Sequence, residues 1–275
     1  MHPSPHQQPA TPFCPVLHCS NLTTENTIFS AIFKHIVVFN FYARSDAGLR
    51  DINEDSYCAE RIGEYYVFAV ADGLGGHAAG EVASAIAIEC LRNAFRFNEG
   101  DPRHALQEAV SEADKQIFVH AEKFPDSCGM ATTFIAAVVD DELNCMVINV
   151  GDSRAHFITA DDVTITKDHS FVNELVESGE LQPEDTWKHP FSNVLCQAIG
   201  DPEVVIKPDF YEANLRDTYL LLSSDGLHDF VRKETIREVV VSNGDELQKS
   251  CEDLVTMALE AGSDDNITVV LFHGE

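Results

Sequence analysis

The chain has 275 residues, 44% of them hydrophobic and 23% charged, which is typical of a globular protein with one large domain or two small ones. Its 46 acidic residues, set against 18 lysines and arginines, give a formal net charge of −28. A surface this acidic repels nucleic acids and anionic membranes, so the sequence predicts neither as a partner.

The cysteines and the N-terminal region indicate where the protein acts. Eight cysteines are scattered along the chain without a Cys-x-x-Cys pair, which favours reduced intracellular thiols over disulfides or a zinc site. The apolar residues 28–39 are too few to span a bilayer as a helix, and no basic segment of a secretory leader precedes them. We therefore expect a cytoplasmic protein, and we expect it to be a monomer.

The elements predicted in chain order favour an α+β fold. Residues 1–34 are predicted to be a disordered tail and residues 35–275 a single folded domain. The predicted strands span residues 36–42, 65–71, 131–139, 145–150, 155–159, 204–210, 217–223 and 266–272. The predicted helices span residues 80–97, 234–241 and 245–259, and a further helix begins at Asp101. Helical turns are predicted over residues 171–177 and after Pro183. Strands occur in runs and helices in pairs, unlike the alternation of a parallel sheet. This order predicts two antiparallel sheets stacked face to face with helices outside.

The predicted central strand, residues 65–71, ends directly in Asp72 and a glycine-rich turn. Glycine permits tight turns and a close approach of the backbone to a ligand. Asp152 and Asp225 also follow apolar runs, and Asp265 stands just before the last one. Any one of these aspartates could simply cap a turn. If four such strand ends converge, however, the buried carboxylates need a positive partner, and oxygen ligands favour Mg²⁺ or Mn²⁺.

Six motifs carry a resemblance to a known family. They are Arg50-x-x-Asn53-Glu54-Asp55, Asp72-Gly73-x-Gly75-Gly76-His77-x-x-Gly80-Glu81-x-Ala83-Ser84, Met130-x-Thr132-Thr133, Val150-Gly151-Asp152-Ser153-Arg154, Ser224-Asp225-Gly226-Leu227 and Asp265-Asn266-Ile267-Thr268. In this order they resemble the metal-dependent protein phosphatases of the protein phosphatase 2C family, and the chain is most similar to its compact bacterial members. The resemblance implies a four-layer α-β-β-α sandwich with a two-metal site at one end.

The resemblance also implies the metal ligands. Asp72 matches the aspartate that bridges two Mn²⁺ or Mg²⁺ ions, and the carbonyl of Gly73 matches a ligand of the second ion. Asp225 and Asp265 match ligands of the first ion. Asp152 matches the ligand of a weaker third ion in bacterial members.

Three further residues are implied as catalytic. Arg50 matches the arginine that binds the substrate phosphate, for which its planar fork is suited. Glu54 and Asp55 match acidic residues that bind the second ion directly or through water. The implied reaction is hydrolysis of phosphoserine and phosphothreonine by a hydroxide that bridges the two metal ions. The implied partners are phosphorylated proteins and a cognate bacterial Ser/Thr kinase.

The sequence departs from the family pattern at two places and leaves one residue open. Ala131 stands where the family usually has glycine, and Asp264 stands where proline is common, so Asp265 is chosen as the ligand because it adjoins Asn266. His77 matches no acid of the family securely, and a role at the helix start is favoured over proton transfer.

Two other functions compete with phosphatase activity. Residues 73–78 fit the dinucleotide fingerprint G-x-G-x-x-A after a strand, but no second parallel strand with an acidic end is predicted about 20 residues on. An inactive, phosphoprotein-binding module is the other alternative, and the retained Asp72, Asp225 and Asp265 argue against it.

Residues 168–193, which are polar and weakly periodic, are predicted to be a mobile flap that controls access of protein substrates.

Overall fold

The computed structural model describes residues 39–75, 79–97 and 100–274. The predicted tail, the predicted domain boundary at residue 35 and His77 lie outside these residues. Within this part of the chain, no helix is both long enough and apolar enough to cross a membrane.

Twelve strands and six α-helices form the described part of the chain. The strands are β1 (Phe39–Asp46), β2 (Ser56–Ile62), β3 (Tyr65–Ala71), β4 (Gly73–Leu74), β5 (Ala131–Thr132), β6 (Phe134–Val139), β7 (Asn144–Val150), β8 (Arg154–Ile158), β9 (Val163–Ile165), β10 (Asp209–Asn214), β11 (Tyr219–Ser223) and β12 (Ile267–Gly274). The helices are α1 (Ala79–Phe97), α2 (Pro102–Lys123), α3 (Phe171–Glu177), α4 (Asp225–His228), α5 (Lys233–Asn243) and α6 (Leu247–Glu260), with short 3₁₀ helices at Pro125–Ser127 and Pro183–Lys188.

Two five-stranded sheets form the centre of the fold. The first has the strand order β1-β12-β11-β8-β9 and the second has the order β10-β7-β6-β3-β2. All neighbouring strands in both sheets are antiparallel. The predicted pair of antiparallel sheets is confirmed.

Side-chain alternation along the central strands produces the four layers. In β3, Phe68 packs between the sheets while Val67 and Ala69 pack against α1 and α2. In β12, Phe272 packs between the sheets and Leu271 packs under α5 and α6. Both faces of each sheet are therefore covered, which is why these strands are apolar at consecutive positions. The result is the expected α-β-β-α sandwich.

Several elements differ from the sequence prediction. The strands β2 and β9 and the short helix α4 were not predicted, and the strand expected over residues 204–210 is β10, which begins only at Asp209. Pro208 precedes β10, and Val205 is 79% exposed, so the apolar residues before the proline are not part of a buried strand. The strand β2 escaped prediction because it is an edge strand with charged residues such as Glu60, which pairs with Arg92 on α1.

Candidate active site

The four aspartates at the predicted strand ends line one cleft of about 890 Å³. Asp72 follows β3 and Asp152 follows β7, and these strands run in the same direction on either side of β6. Asp225 follows β11, and Asp265 precedes the antiparallel neighbour β12. Because β11 and β12 are antiparallel, the end of β11 and the start of β12 lie at the same end of the sheet, which brings Asp225 and Asp265 together.

Threonine hydroxyls fix the backbone of Asp72. The amide of Asp72 donates to Oγ1 of Thr133 at 2.9 Å, and its carbonyl accepts from the Thr133 amide at 2.9 Å and from Oγ1 of Thr132 at 2.8 Å. Oγ of Ser153 lies 2.7 Å from Oγ1 of Thr133, and all three hydroxyl residues are buried. The sequence motifs included these residues without assigning them a role, and the structure shows that they hold Asp72 in place.

Gly73 lies where no larger residue fits. A Cβ at Gly73 would lie 2.2 Å from the carbonyl oxygen of Gly80 and 2.6 Å from that of Glu54. A Cβ at Gly80 would in turn lie 2.8 Å from Oε1 of Glu54. The two glycines therefore let β4, the start of α1 and the Glu54 carboxylate meet. This contact is the structural reason for the Asp-Gly and Gly-Glu spacing in the sequence.

Asp55 lies beneath the cleft rather than in its lining. It is 9% exposed, its Oδ2 accepts from Oγ of Ser224 at 2.8 Å, and its Oδ1 has no hydrogen-bond partner. Burial, opposed in part by the hydroxyl contacts and reinforced by Asp225 and Asp265, raises the pKa of Asp55 to about 7. Asp55 is thus a buried carboxylate whose Oδ1 makes no hydrogen bond, although the hydroxyls of Thr268 and Ser224 both act on the carboxyl group.

Asn266 joins the loop that carries the predicted catalytic residues to β12. Its Oδ1 accepts from the amide of Glu54 at 2.8 Å, and its Nδ2 donates to the carbonyls of Ala47 and Ile52, both at 3.0 Å. Sequence analysis had assigned Asn266 no role beyond its place in the motif. The structure shows that Asn266 holds the loop of residues 47–54 against the start of β12, where Arg50 contacts Asp265.

Arg50 lies at the rim beside Asp265. Its Nη2 is 3.0 Å from Oδ2 of Asp265, and its Nε donates to the carbonyl of Asp264 at 2.9 Å. The Arg50 side chain is 52% exposed, so part of the guanidinium faces solvent. Asp265, rather than the exposed Asp264, lines the cleft.

Asp152 makes no direct ion pair with Arg154, its neighbour in the same motif. Arg154 instead makes a two-pronged ion pair with Asp168, with Nε 2.8 Å from Oδ1 and Nη2 2.6 Å from Oδ2. Burial, together with Asp225, Asp168 and Asp229, raises the pKa of Asp152 to about 8. Asp168 and Asp229 also line the cleft, and sequence reasoning had not included them in the site.

The remaining cleft carboxylates are also shifted toward protonation. Burial raises the pKa of Asp72 well above its ordinary value, and nearby Asp55 and Asp225 add to the shift. Burial raises the pKa of Asp225 to about 6, although a hydrogen bond with the Asp72 carboxyl partly offsets the effect. So many carboxylates cannot all ionise at neutral pH without added positive charge.

This cluster fits a divalent cation. Oδ1 of Asp55 and Oδ1 of Asp225 are buried without hydrogen-bond partners, and the available donors are oxygens, as Mg²⁺ and Mn²⁺ prefer. In the described residues, no three His, Cys, Asp or Glu side chains form a ready metal-ligand set. The carboxylates carry like charges, so they could move close enough to form such a set only with a cation between them.

The fold and the site together define a protein phosphatase of the metal-dependent class. The sequence profile described as protein phosphatase 2C matches residues 50–267. The chain belongs to this family.

The similar proteins are bacterial phosphatases. The chain is 35% identical over 236 residues to the serine/threonine phosphatase stp of Listeria innocua, which covers 83% of the chain and 93% of the relative. It is 38% identical over 239 residues to the serine/threonine protein phosphatase PstP of Mycobacterium tuberculosis, which covers 86% of the chain but 45% of that relative.

Solved structures agree with the fold. The crystal structure of Mycobacterium tuberculosis PstP matches with a TM-score of 0.78 at 36% identity, over 86% of this chain and 98% of that one. The catalytic domain of PstP in complex with two manganese ions matches with a TM-score of 0.75 at 36% identity, over 86% and 99% of the two chains.

These findings confirm the predicted enzyme class, a protein-serine/threonine phosphatase. The dinucleotide alternative is not supported, because the neighbours of β3 are the antiparallel strands β2 and β6 rather than parallel ones. The inactive-module alternative is not favoured by the relatives, which are named as phosphatases.

Proposed function

We propose that the protein removes phosphate from phosphoserine and phosphothreonine in proteins, using two Mn²⁺ or Mg²⁺ ions held in the acidic cleft. The observation that carries this proposal is the convergence of Asp72, Asp152, Asp225 and Asp265 on one cleft. When bound, two such ions supply a hydroxide for attack and compensate charge on the phosphoryl oxygens. No cysteine or serine nucleophile is then required.

The proposed ligands are those that the family resemblance implies, and the cleft brings three of them together. Asp72, at the end of β3, would hold both ions, with Asp225 and Asp265 contributing to the first and the Gly73 carbonyl to the second. Glu54 and Asp55 complete the second site directly or through water, which is supported by the unpartnered Oδ1 of Asp55.

Asp152 is proposed to hold a weaker third ion. It lines the same cleft, and Asp225 is the nearby charge that contributes most to its raised pKa. Arg154 makes its direct ion pair with Asp168 and acts on Asp152 only as a nearby positive charge, which does not prevent the pKa of Asp152 from being raised.

Arg50 is proposed to bind the substrate phosphate. Its contacts with Asp265 and Asp264 use Nη2 and Nε, and a guanidinium carries five N–H donors in all. The ion pair with Asp265 points the fork toward the ligands of the first ion, so phosphate bound there would lie beside the cations. Its half-exposed position lets substrate reach it.

The flap is proposed to control access of protein substrates. Residues of α3 and of the 3₁₀ helix Pro183–Lys188 form one wall of the cleft, among them Val172, Asn173, Val176 and Thr186. An ion pair of 2.6 Å between Lys167 and Glu177 links α3 to the strand side. A wall made of a short helix and a 3₁₀ turn can shift more readily than a sheet.

We further propose a cytoplasmic, monomeric enzyme in signal transduction that opposes a bacterial Ser/Thr kinase. The cytoplasmic location is supported by cysteines that are scattered through the sequence without a Cys-x-x-Cys pair. The role opposite a kinase is supported by the bacterial serine/threonine phosphatases that the chain resembles. Phosphoproteomics of a deletion strain would reveal the substrates and whether they are kinase targets.

A direct assay tests the activity itself. The full chain with Mn²⁺ is incubated with a phosphothreonine peptide, and released phosphate is measured with and without EDTA. Release should need the ion and should vanish in Asp72→Asn, while the exposed Asp161→Asn serves as a matched control with normal turnover. Undiminished release under EDTA would contradict the metal-dependent mechanism, and phosphopeptide binding without turnover would support the inactive module.

A further inference from the structure

A second cavity, here called the edge groove, opens at one side of the sandwich. β9 is the outermost strand of the first sheet and β10 that of the second, and in the described part of the chain each pairs with a single neighbour, β8 and β7 respectively. Residues of both edge strands line the groove, whose volume is about 620 Å³. Ligand sites in proteins typically measure about 300–1,000 Å³, so the groove is large enough to hold part of another molecule.

The floor of the edge groove is apolar. Phe157 on β8 and Tyr211 on β10 are half-buried, and both pack against the core between the two sheets. Ile165, at the end of β9, is 36% exposed. The groove therefore leaves the margin of the inter-sheet core open to solvent. An apolar side chain from another molecule would be stabilised by covering it.

The edge groove is continuous with the acidic cleft. Ile165 and Tyr211 line both cavities. The Tyr211 hydroxyl accepts a hydrogen bond of 2.9 Å from the amide of Lys167, just beyond the end of β9, and this contact holds the ring at the junction. A molecule whose phosphate lies in the cleft can therefore extend past Tyr211 into the groove.

The shape of the edge groove suits an extended peptide. The outer side of an edge strand presents N–H and C=O groups to which an extended chain can hydrogen-bond, while pockets beside the strand take its alternate side chains. β10 is six residues long and β9 is three, so the two edges offer room for a short segment. A folded surface would not enter between them.

The charges in the edge groove narrow the choice of occupant. Asp162 and Glu212 belong to its lining, and no lysine or arginine of the described residues does. Glu212 faces Arg103, with Oε1 3.4 Å from Nη2, so its charge is partly compensated. The groove thus disfavours acidic segments. A second copy of this chain, with its formal charge of −28, is a poor occupant for the same reason.

We propose that the edge groove binds an extended segment of the phosphoprotein substrate, next to the phosphorylated residue, and that its floor takes an aliphatic side chain of that segment. The proposal rests on the proposed function, because the phosphorylated residue must lie in the cleft. It adds a substrate class, namely phosphorylation sites that are flanked on one side by an aliphatic residue and not by acidic ones. Ile165 and Tyr211 are the residues that select for it.

A series of phosphothreonine peptides tests this preference. Each peptide carries a single leucine in a glycine and serine background, placed in turn at the six positions before and the six positions after the phosphothreonine, six being the length of β10. KM in Mn²⁺ is compared with that of the leucine-free peptide. We expect leucine to lower KM about tenfold at neighbouring positions on one side only. Glutamate at the same positions should raise it.

A matched pair of variants locates the effect. Ile165→Thr keeps a β-branched side chain but makes the floor polar, and Val205→Thr makes the same kind of change at an exposed position outside both cavities. The quantity compared is the ratio of KM for the leucine-free and leucine peptides on one variant, which does not depend on the amount of folded enzyme. Ile165→Thr should lose most of this ratio, and Val205→Thr should keep it.

A binding measurement without turnover accompanies the kinetics. Asp72→Asn is incubated with Mn²⁺ and the best peptide, in which a photoreactive benzoylphenylalanine replaces leucine, and the crosslinked residues are identified by mass spectrometry. Crosslinks should fall on β9 or β10. This readout keeps the proposal testable if Ile165→Thr fails to fold.

The outcomes are distinct. Equal KM values for all leucine positions, an undiminished ratio in Ile165→Thr, or crosslinks confined to α3 would each overturn the proposal. A dimer in solution that the leucine peptide does not dissociate, joined through β10, would overturn it in favour of a second copy of the chain. A wild type that turns over none of the peptides would instead refute the proposed function, and the crosslinks would still report on the groove.

Discussion

Replacing Asp225 with asparagine should stabilise the metal-free protein while abolishing its activity. Burial and the nearby Asp229 and Asp265 raise the pKa of Asp225 from 3.8 to about 6. Because the folded-state pKa lies above the unfolded one, the ionised carboxylate costs stability above about pH 6, and that cost disappears as the pH falls below 3.8. An amide of the same shape carries no charge and avoids this cost.

The size of the gain follows from the shift. One pKa unit corresponds to about 1.4 kcal/mol, so the full shift of Asp225 is worth at most about 3 kcal/mol. Because the neighbouring carboxyls titrate together with Asp225, part of this cost can be relieved in the wild type. The variant should therefore gain about 1–3 kcal/mol in free energy of unfolding at pH 8. For a domain of this size, 1 kcal/mol raises the melting temperature by about 2–4 °C.

Thermal unfolding in EDTA at pH 8 and at pH 4 measures this effect. Asp225→Asn should melt higher than the wild type at pH 8, and the difference should shrink to a small remainder at pH 4. Excess Mn²⁺ should reverse the order at pH 8, because an ion present at 100 times its dissociation constant stabilises the folded wild type by about 2.7 kcal/mol. A variant that melts below the wild type in EDTA at pH 8 would refute the reasoning.

A carboxylate in the opposite environment provides the control. Hydrogen bonds from Lys249 and Asn243 lower the pKa of Asp253. Asp253→Asn should therefore lose a little stability at pH 8 rather than gain it. Its response to Mn²⁺ should match that of the wild type, since it lies on α6 outside the cleft.

Three further predictions concern substrate and metal. Arg50→Ala should lower kcat/KM, mainly by raising KM, by an amount that corresponds to about 2–3 kcal/mol of lost transition-state stabilisation. The melting temperature should not change, because the ion pair of Arg50 is half-exposed. Unaltered steady-state kinetics would exclude phosphate binding by Arg50. Replacing residues 174–180 should impair turnover of a phosphoprotein more than that of a small aryl phosphate, and equal effects would remove the flap hypothesis. Asp152→Ala should still bind two ions by calorimetry but turn over phosphopeptide slowly, whereas lost stability with a normal rate per folded molecule would indicate a structural role.

The parts that were predictable from sequence are those encoded by local patterns. An apolar run that ends in aspartate marks both a buried strand and a polar group at its end, so Asp72, Asp152 and Asp225 were found before their neighbours were known. Their convergence depended on the antiparallel register, which the grouping of strands indicated. The two stacked sheets followed from strands that occur in runs and helices that occur in pairs, and the four-layer sandwich followed from the family resemblance.

The parts that were missed depend on contacts between distant segments. Arg154 pairs with Asp168 rather than Asp152, and nothing in the spacing of these three residues distinguishes the two pairings. The contacts from the Thr133 hydroxyl to Asp72 and from Asn266 to the Arg50 loop likewise join residues that are far apart in sequence. Strand β2 lies at the edge of its sheet and carries charged residues, so its sequence lacks the apolar run that marks a buried strand.

The position of β12 in its sheet determines when during synthesis the cleft can form. The strand pairs with β1 on one side and β11 on the other, so two strands that emerge from the ribosome earlier must wait for it. The other sheet has all its strands once Asn214 has been made. Asp265 enters the cleft, and Asn266 clamps the Arg50 loop, only when this final strand docks. A nascent chain is therefore unable to act on phosphoproteins until translation has passed β12, long after half of its core can pack.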